Sequence, residues 1–253
     1  MALQFVLKLK SRVCFSAYWM MIFMWSLQGC SAQPEQPRSS PSAIQQSVYS
    51  YTQLGFAYLE RDNIERSKRA FLKALNFDDK AYDAVHGMAL IYQKEGEFEL
   101  AEEYFKTALR AGGSFSVARN NYAAFLYSQQ RYSEACHQLE ITVEDTLYVK
   151  RRLAFENLGL CQLQLNQVTQ AETSFKRALQ LDRNSARALL ELASIKEMQN
   201  HPQGAWGYLK QHLKVAKASG RSLMLGIRLA EQLGESAEHS RFLLELSRLK
   251  EAD

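Results

Sequence analysis

YDAVHGMALIYQKEGEFELAEEYFKTALRAGGSF, residues 82–115, decides the fold. A small residue, Ala89, is followed three later by Tyr92, then by Gly96, Ala101, Phe105 and Ala108. The same letters recur 34 residues away in either direction. Gly55, Ala89 and Ala123 keep this step, as do Phe71, Phe105 and Leu139, Ala101 and Ala135, and Ala74, Ala108 and Thr142. After a slip of two residues the ladder returns as Gly159, Ala171, Phe175 and Ala178. Small residues where two helices cross, and bulky ones filling the gaps between, describe a helix–turn–helix unit. One such unit cannot bury its own apolar face, so neighbours must stack.

This pattern resembles the tetratricopeptide repeat over residues 48–219. The fold implied is an all-α tetratricopeptide superhelix of about six helix–turn–helix units after a lipoprotein signal peptide. Unit one covers about 48–81, with Leu54, Gly55 and Tyr58 on its first helix and Ser67, Phe71 and Ala74 on its second. Unit two is 82–115, ended by Gly112-Gly113. Unit three, 116–151, carries Asn120 to Tyr127 on helix A and Ala135, Leu139 and Thr142 on helix B. Its trailing link is two residues longer than the others. Unit four is 152–185. Unit five, 186–219, is degraded, with Lys196 and His212 at positions that are usually apolar or small. Pro202 suits the first turn of its second helix. Residues 220–253 read as a degenerate sixth, capping pair, with Leu225-Gly226-Ile227 before Gly234 and an apolar stripe at Phe242, Leu243, Leu246 and Leu249.

The amino terminus has a different composition. Lys8, Lys10 and Arg12 precede an apolar run from Val13 to Leu27, too short for the ~20 residues of a spanning helix. Residues 1–29 therefore read as a secretory signal. Leu27-Gln28-Gly29-Cys30 resembles the bacterial lipobox, with Gln28 an uncommon filler. That resemblance implies diacylglyceryl transfer to the Cys30 thiol, cleavage before it, and acylation of the new amine. Ser31 after the modified cysteine, by resemblance to Gram-negative lipoproteins, implies the outer membrane, with the body on the periplasmic side. Residues 30–47, rich in Ser, Pro and Gln, are expected to be the lipidated end and a flexible tether.

Formal net charge is +4, and removing Lys8, Lys10 and Arg12 leaves +1. No concentrated basic face is evident, so nucleic acid is not an expected partner. The five histidines show no metal spacing, and no phosphate loop or nucleophile elbow occurs. No catalytic residue, metal or cofactor is expected, and the chain reads as a non-enzyme. Cys136 and Cys161 lie on helix B of unit three and helix A of unit four, which should pack side by side. They can form a disulfide in an oxidising compartment, but buried free thiols are the expectation the apolar neighbours favour.

The A helices should form the partner-facing wall. By resemblance to other arrays the groove maps to Tyr49, Thr52, Phe56, Leu59, His86, Leu90, Gln93, Asn120, Ala124 and Tyr127, joined by Asp83, Val117, Leu153, Leu160 and Leu163. Thr52 and Phe56 stand where the carboxylate-clamp type needs Lys and Asn. The wall is more apolar than basic, which suits an apolar or amphipathic segment of a partner protein.

Lipobox, tether and six units together resemble the type IV pilus biogenesis lipoproteins, the pilotins. Asn120-Asn121-Tyr122, Phe125-Leu126-Tyr127, Ala154 to Cys161, and Leu225 to Leu229 with Leu233-Gly234 carry the resemblance. It implies a monomeric body anchored in the outer membrane through Cys30. Its partner would be the pilus secretin subunit, which it localises and helps to assemble into multimers. An adaptor for peptidoglycan hydrolases or for β-barrel assembly is the alternative.

Overall fold

A computed structural model describes residues 41–111 and 115–252. Contacts divide the chain into units 1–44 and 45–253; of the first, only residues 41–44, the first turn of a helix, are described. The expected signal segment, the lipobox and Cys30 lie outside the described residues. Twelve α-helices and no strand occur among the described residues. They are α1 Pro41–Glu60, α2 Ile64–Phe77, α3 Tyr82–Glu95, α4 Phe98–Ala108, α5 Ser116–Ser128 and α6 Tyr132–Glu144. Then follow α7 Arg151–Gln164, α8 Val168–Leu181, α9 Ala186–Met198, α10 Pro202–Val215, α11 Gly220–Leu233 and α12 Ser236–Ala252.

The helices run as six antiparallel pairs. In the first, Tyr51 stacks on Phe77, Phe71 meets Phe56 edge-on at 5.0 Å, and the Arg66 guanidinium lies over Tyr58. Each pair is locked by a small residue on its first helix facing a bulky one sixteen later. These are Gly55 with Phe71, Ala89 with Phe105, Ala123 with Leu139, Gly159 with Phe175, Ala193 with Leu209, and Gly226 with Phe242, all buried. Glycine is needed at three of these crossings. A Cβ on Gly159 would come to 2.7 Å from the Phe175 ring, one on Gly226 to 2.8 Å from Phe242, and one on Gly55 would run into Phe71. The ladder thus extends through the degraded fifth unit and the capping pair.

The elbow inside each pair is equally regular. Asp62, Gly96, Gln130, Asn166, Asn200 and Gly234 all adopt positive φ, between 57° and 81°. At each, the amide of the next residue donates to a carbonyl five residues back, as Asn63 to Tyr58, Arg131 to Leu126 and Glu235 to Ala230. This is the left-handed helix ending that satisfies otherwise orphaned carbonyls. Between pairs, each second helix packs on the following first helix, and α3 touches α5, α5 touches α7 and α9 touches α11.

Three expectations change. First, α1 begins at Pro41, so residues 41–47 are helical and not tether. A proline in the first turn loses no intrahelical hydrogen bond, and Ile44, Val48 and Tyr51 keep helical spacing. Second, Cys136 and Cys161 are disulfide-bonded, with Cα atoms 5.6 Å apart. They are not free thiols: α6 and α7 pack directly, and the two side chains face each other across that seam. Third, the polar residues of unit five are tied to other helices, although His212 Nε2 has no hydrogen-bond partner among the described residues. His212 Nδ1 donates to the Ala186 carbonyl at 2.9 Å, and Lys196 pairs with Glu172 of unit four at 2.7 Å.

The two-residue slip is the link between α6 and α7. Its Tyr148 is buried in the largest apolar cluster, while Leu147 and Val149 are 87% and 97% exposed. The insertion therefore closes as a small loop pinned by one aromatic side chain.

Candidate partner-binding cleft

The first helices of the first two pairs bound a cleft of about 500 Å³. Tyr49 and Thr52 of α1 line it with Asp83 of α3, as do Val48, Gln53 and Phe115. Tyr49 is 62% exposed, so its ring is available to a partner. Thr52 is buried and its Oγ1 has no hydrogen-bond partner among the described residues. Such an oxygen loses its water without compensation. Asp83 is held above its ordinary carboxyl pKa by the desolvating walls around it. Lys80, also on the lining, is the cleft's cation.

The remaining expected groove residues divide into two kinds. Phe56 and Leu59 are half-buried against the first apolar cluster, and His86 is buried. These three pack into the wall. Leu90 is half-buried against the central cluster; Gln93 is partly exposed on the same helix. Further along, Ala124 and Tyr127 line a separate crevice of about 100 Å³ with Asn157 and Leu160. Asn120 accepts a hydrogen bond from Asn157 Nδ2 at 3.2 Å, tying α5 to α7. Of the ten groove positions, Tyr49 and Thr52 share the large cleft and Ala124 and Tyr127 the small one. Val48, Gln53 and Phe115 were missed. Phe115 follows the double glycine and sits one residue before α5, where helical spacing gives no hint of its direction.

His86 shows how the wall is held. Its ring lies 5.8 Å from Phe56 of unit one and 6.1 Å and 5.8 Å from Phe105 and Phe115 of its own unit, so it ties the first two units together. Asn121 Nδ2 donates to His86 Nε2 at 3.0 Å, which places the ring proton on Nδ1. Burial lowers its pKa to about 4 from the ordinary 6.5. The folded state therefore binds fewer protons than the unfolded chain between these values. Stability is expected to be complete above pH 6.5 and to fall as pH drops towards 4. Urea titrations across that window should show the loss, and His86→Asn should flatten it. An identical slope in His86→Asn would place the acid sensitivity elsewhere.

A second polar link fixes the middle of the stack. Glu156 on α7 is buried, paired with Arg152, and accepts from Ser185 Oγ at 2.6 Å. Ser185 in turn caps α9 by accepting from the Ala188 amide. Among the described residues, no group of three or more His, Cys, Asp or Glu could hold a metal ion, and no helix is long and apolar enough to cross a membrane.

The tetratricopeptide repeat profile matches residues 48–80, 82–111 and 154–185. These ranges fall on pairs one, two and four. The type IV pilus assembly protein PilF of Pseudomonas aeruginosa is 36% identical over 224 residues, covering 88% of this chain and 89% of that protein. A solved structure from a functional characterisation of Pseudomonas aeruginosa PilF superposes with a TM-score of 0.78, over 83% of this chain and 95% of that one. The crystal structure of PilW, described as a widely conserved type IV pilus biogenesis factor, superposes at 0.70 with 26% identity, over 80% of this chain and 93% of that one. Helix pairing, repeat phase and an alignment over nearly nine-tenths of both chains agree, and the chain belongs to the PilF family of type IV pilus assembly proteins built from tetratricopeptide repeats.

Proposed function

We propose that this chain is an outer-membrane lipoprotein pilotin: anchored through Cys30 on the periplasmic side, it binds the type IV pilus secretin subunit and promotes its localisation and multimer assembly. What carries the reading is the relation to PilF along nearly the whole length of both chains, together with a partner-sized cleft on the first two pairs. The cleft lining combines an exposed tyrosine, an unpartnered hydroxyl and a single lysine. That suits an amphipathic protein segment, with Tyr49 as the rigid anchor. Membrane tethering would raise the local concentration of secretin subunits and favour their association.

Tyr49→Ala tests the reading, because the side chain is exposed and its loss should leave helicity intact. Capture of the purified secretin subunit by the full chain is expected to weaken about 30-fold, the ratio for a ~2 kcal/mol interfacial tyrosine. Unchanged capture would move the site away from this cleft. No capture by the parent chain would end the pilotin reading.

A further inference from the structure

A second cleft, of about 270 Å³, lies between α1 and α2 and shares no lining residue with the first. Tyr51, Leu54 and Tyr58 line it from α1, and Arg66, Arg69 and Lys73 from α2. Both triplets follow the spacing i, i+3, i+7, so each occupies one helix face. No carboxylate lines the cleft, and none of its three cations is in an ion pair among the described residues. Elsewhere Arg131, Arg152, Arg221 and Arg228 are paired with carboxylates, while Arg183 and Lys214, like the three cations here, are in no ion pair among the described residues. Arg66 instead lies over the Tyr58 ring at 5.8 Å and Lys73 over the Tyr51 ring at 5.3 Å. Leu54, Leu72 and Phe77 expose apolar surface on the same two helices.

We propose that this cleft seats the phosphate headgroup of an anionic phospholipid and so holds the first helix pair against the membrane surface. The unpaired cations call for an anion. The tyrosines and aliphatic side chains beside them suit the boundary where headgroup meets acyl chain, since tyrosine presents an apolar body and a polar tip. An acidic peptide would meet the cations but has no acyl chain for the exposed Leu54, Leu72 and Phe77 beside them. The inference rests on the lipid anchor of the pilotin reading. α1 starts eleven residues after Cys30, so it stays within about 40 Å of an anchored cysteine. At that range even a weak headgroup site would be filled.

The test is side-chain shielding in the full chain, reconstituted into nanodiscs of phosphatidylglycerol or of phosphatidylcholine. Phenylglyoxal modifies arginine and an acetylating ester modifies lysine, and both are read by peptide mass spectrometry. Arg66, Arg69 and Lys73 are expected to react roughly fivefold more slowly on the anionic discs, the factor for ~1 kcal/mol per surface cation. Arg183 and Lys214, outside the cleft, should react equally on both. Leu54→Asp places a carboxylate in the cleft at an exposed position and should abolish the difference, with circular dichroism unchanged. Equal rates on the two discs, or shielding that survives Leu54→Asp, would overturn the proposal. So would shielding on phosphatidylcholine discs by inorganic phosphate or by secretin, which would assign the cleft to a free anion or a protein. Failure here leaves secretin capture intact, whereas failure of the pilotin reading abolishes capture and leaves lipid-dependent shielding in place.

Discussion

Phe71→Ala is expected to destabilise the body by roughly 3–5 kcal/mol, the cost of emptying a fully buried aromatic site. The ring is wholly inaccessible and sits between two glycines, Gly55 of its own pair and Gly87 of the next. A Cβ at either position would strike the ring. One side chain thus closes the first pair and fastens it to the second. Gly87→Ala alone should cost about 1–3 kcal/mol through overpacking, although alanine is intrinsically the better helix former by ~1 kcal/mol. Combining the two changes gives the decisive measurement. The new methyl can enter the space the ring vacated, so the double variant should lose clearly less than the sum of the singles. Equilibrium denaturation of the four proteins checks this. Strict additivity would mean that Phe71 does not occupy the space beside Gly87.

Removing the disulfide should cost about 3.5 kcal/mol. Cys136 and Cys161 are 25 residues apart in sequence, and closing a loop of that size removes roughly this much unfolded-state free energy. The bridge spans the seam between α6 and α7, just where the two-residue insertion interrupts the 34-residue phase. Pairs three and four consequently gain a covalent tie at their least regular junction. Cys136→Ser with Cys161→Ser, or reduction of the parent chain, should lower the urea midpoint by the same amount. If reductant leaves the double-serine midpoint unmoved and the parent midpoint unmoved as well, the bridge contributes nothing to the folded body.

The pairing was legible because crossings leave a strong mark in the sequence. Gly55, Ala89, Ala123 and Gly159 can hardly be anything but close approaches once Phe71, Phe105, Leu139 and Phe175 follow at constant distance. The degraded fifth unit kept the mark at Ala193 and Leu209, while Lys196 and His212 obscured it. Lys196 and the Nδ1 of His212 find their partners on other helices, which no local pattern reveals. The helical start at Pro41 was hidden by a Ser- and Gln-rich composition that looks like linker, although its apolar residues keep helical spacing. The groove was half legible. Helical phase located the wall, but not which of its side chains turn inward. Phe56, Leu59 and His86 sit on the correct helices and yet are needed as packing, and Phe115 enters the cleft from a segment with no periodicity. Cysteine proximity was foreseeable from helix order, whereas oxidation depends on how two side chains face each other.

The left-handed elbow recurs at Asp62, Gly96, Gln130, Asn166, Asn200 and Gly234, and only two of these six are glycine. The amide–carbonyl bond across each elbow and the buried crossing beside it, not glycine, therefore hold each bend against the preference of L-residues for negative φ. Outward-facing side chains of any unit can be replaced without disturbing its spacing, so the surface and the scaffold of such a stack are set by separate residues.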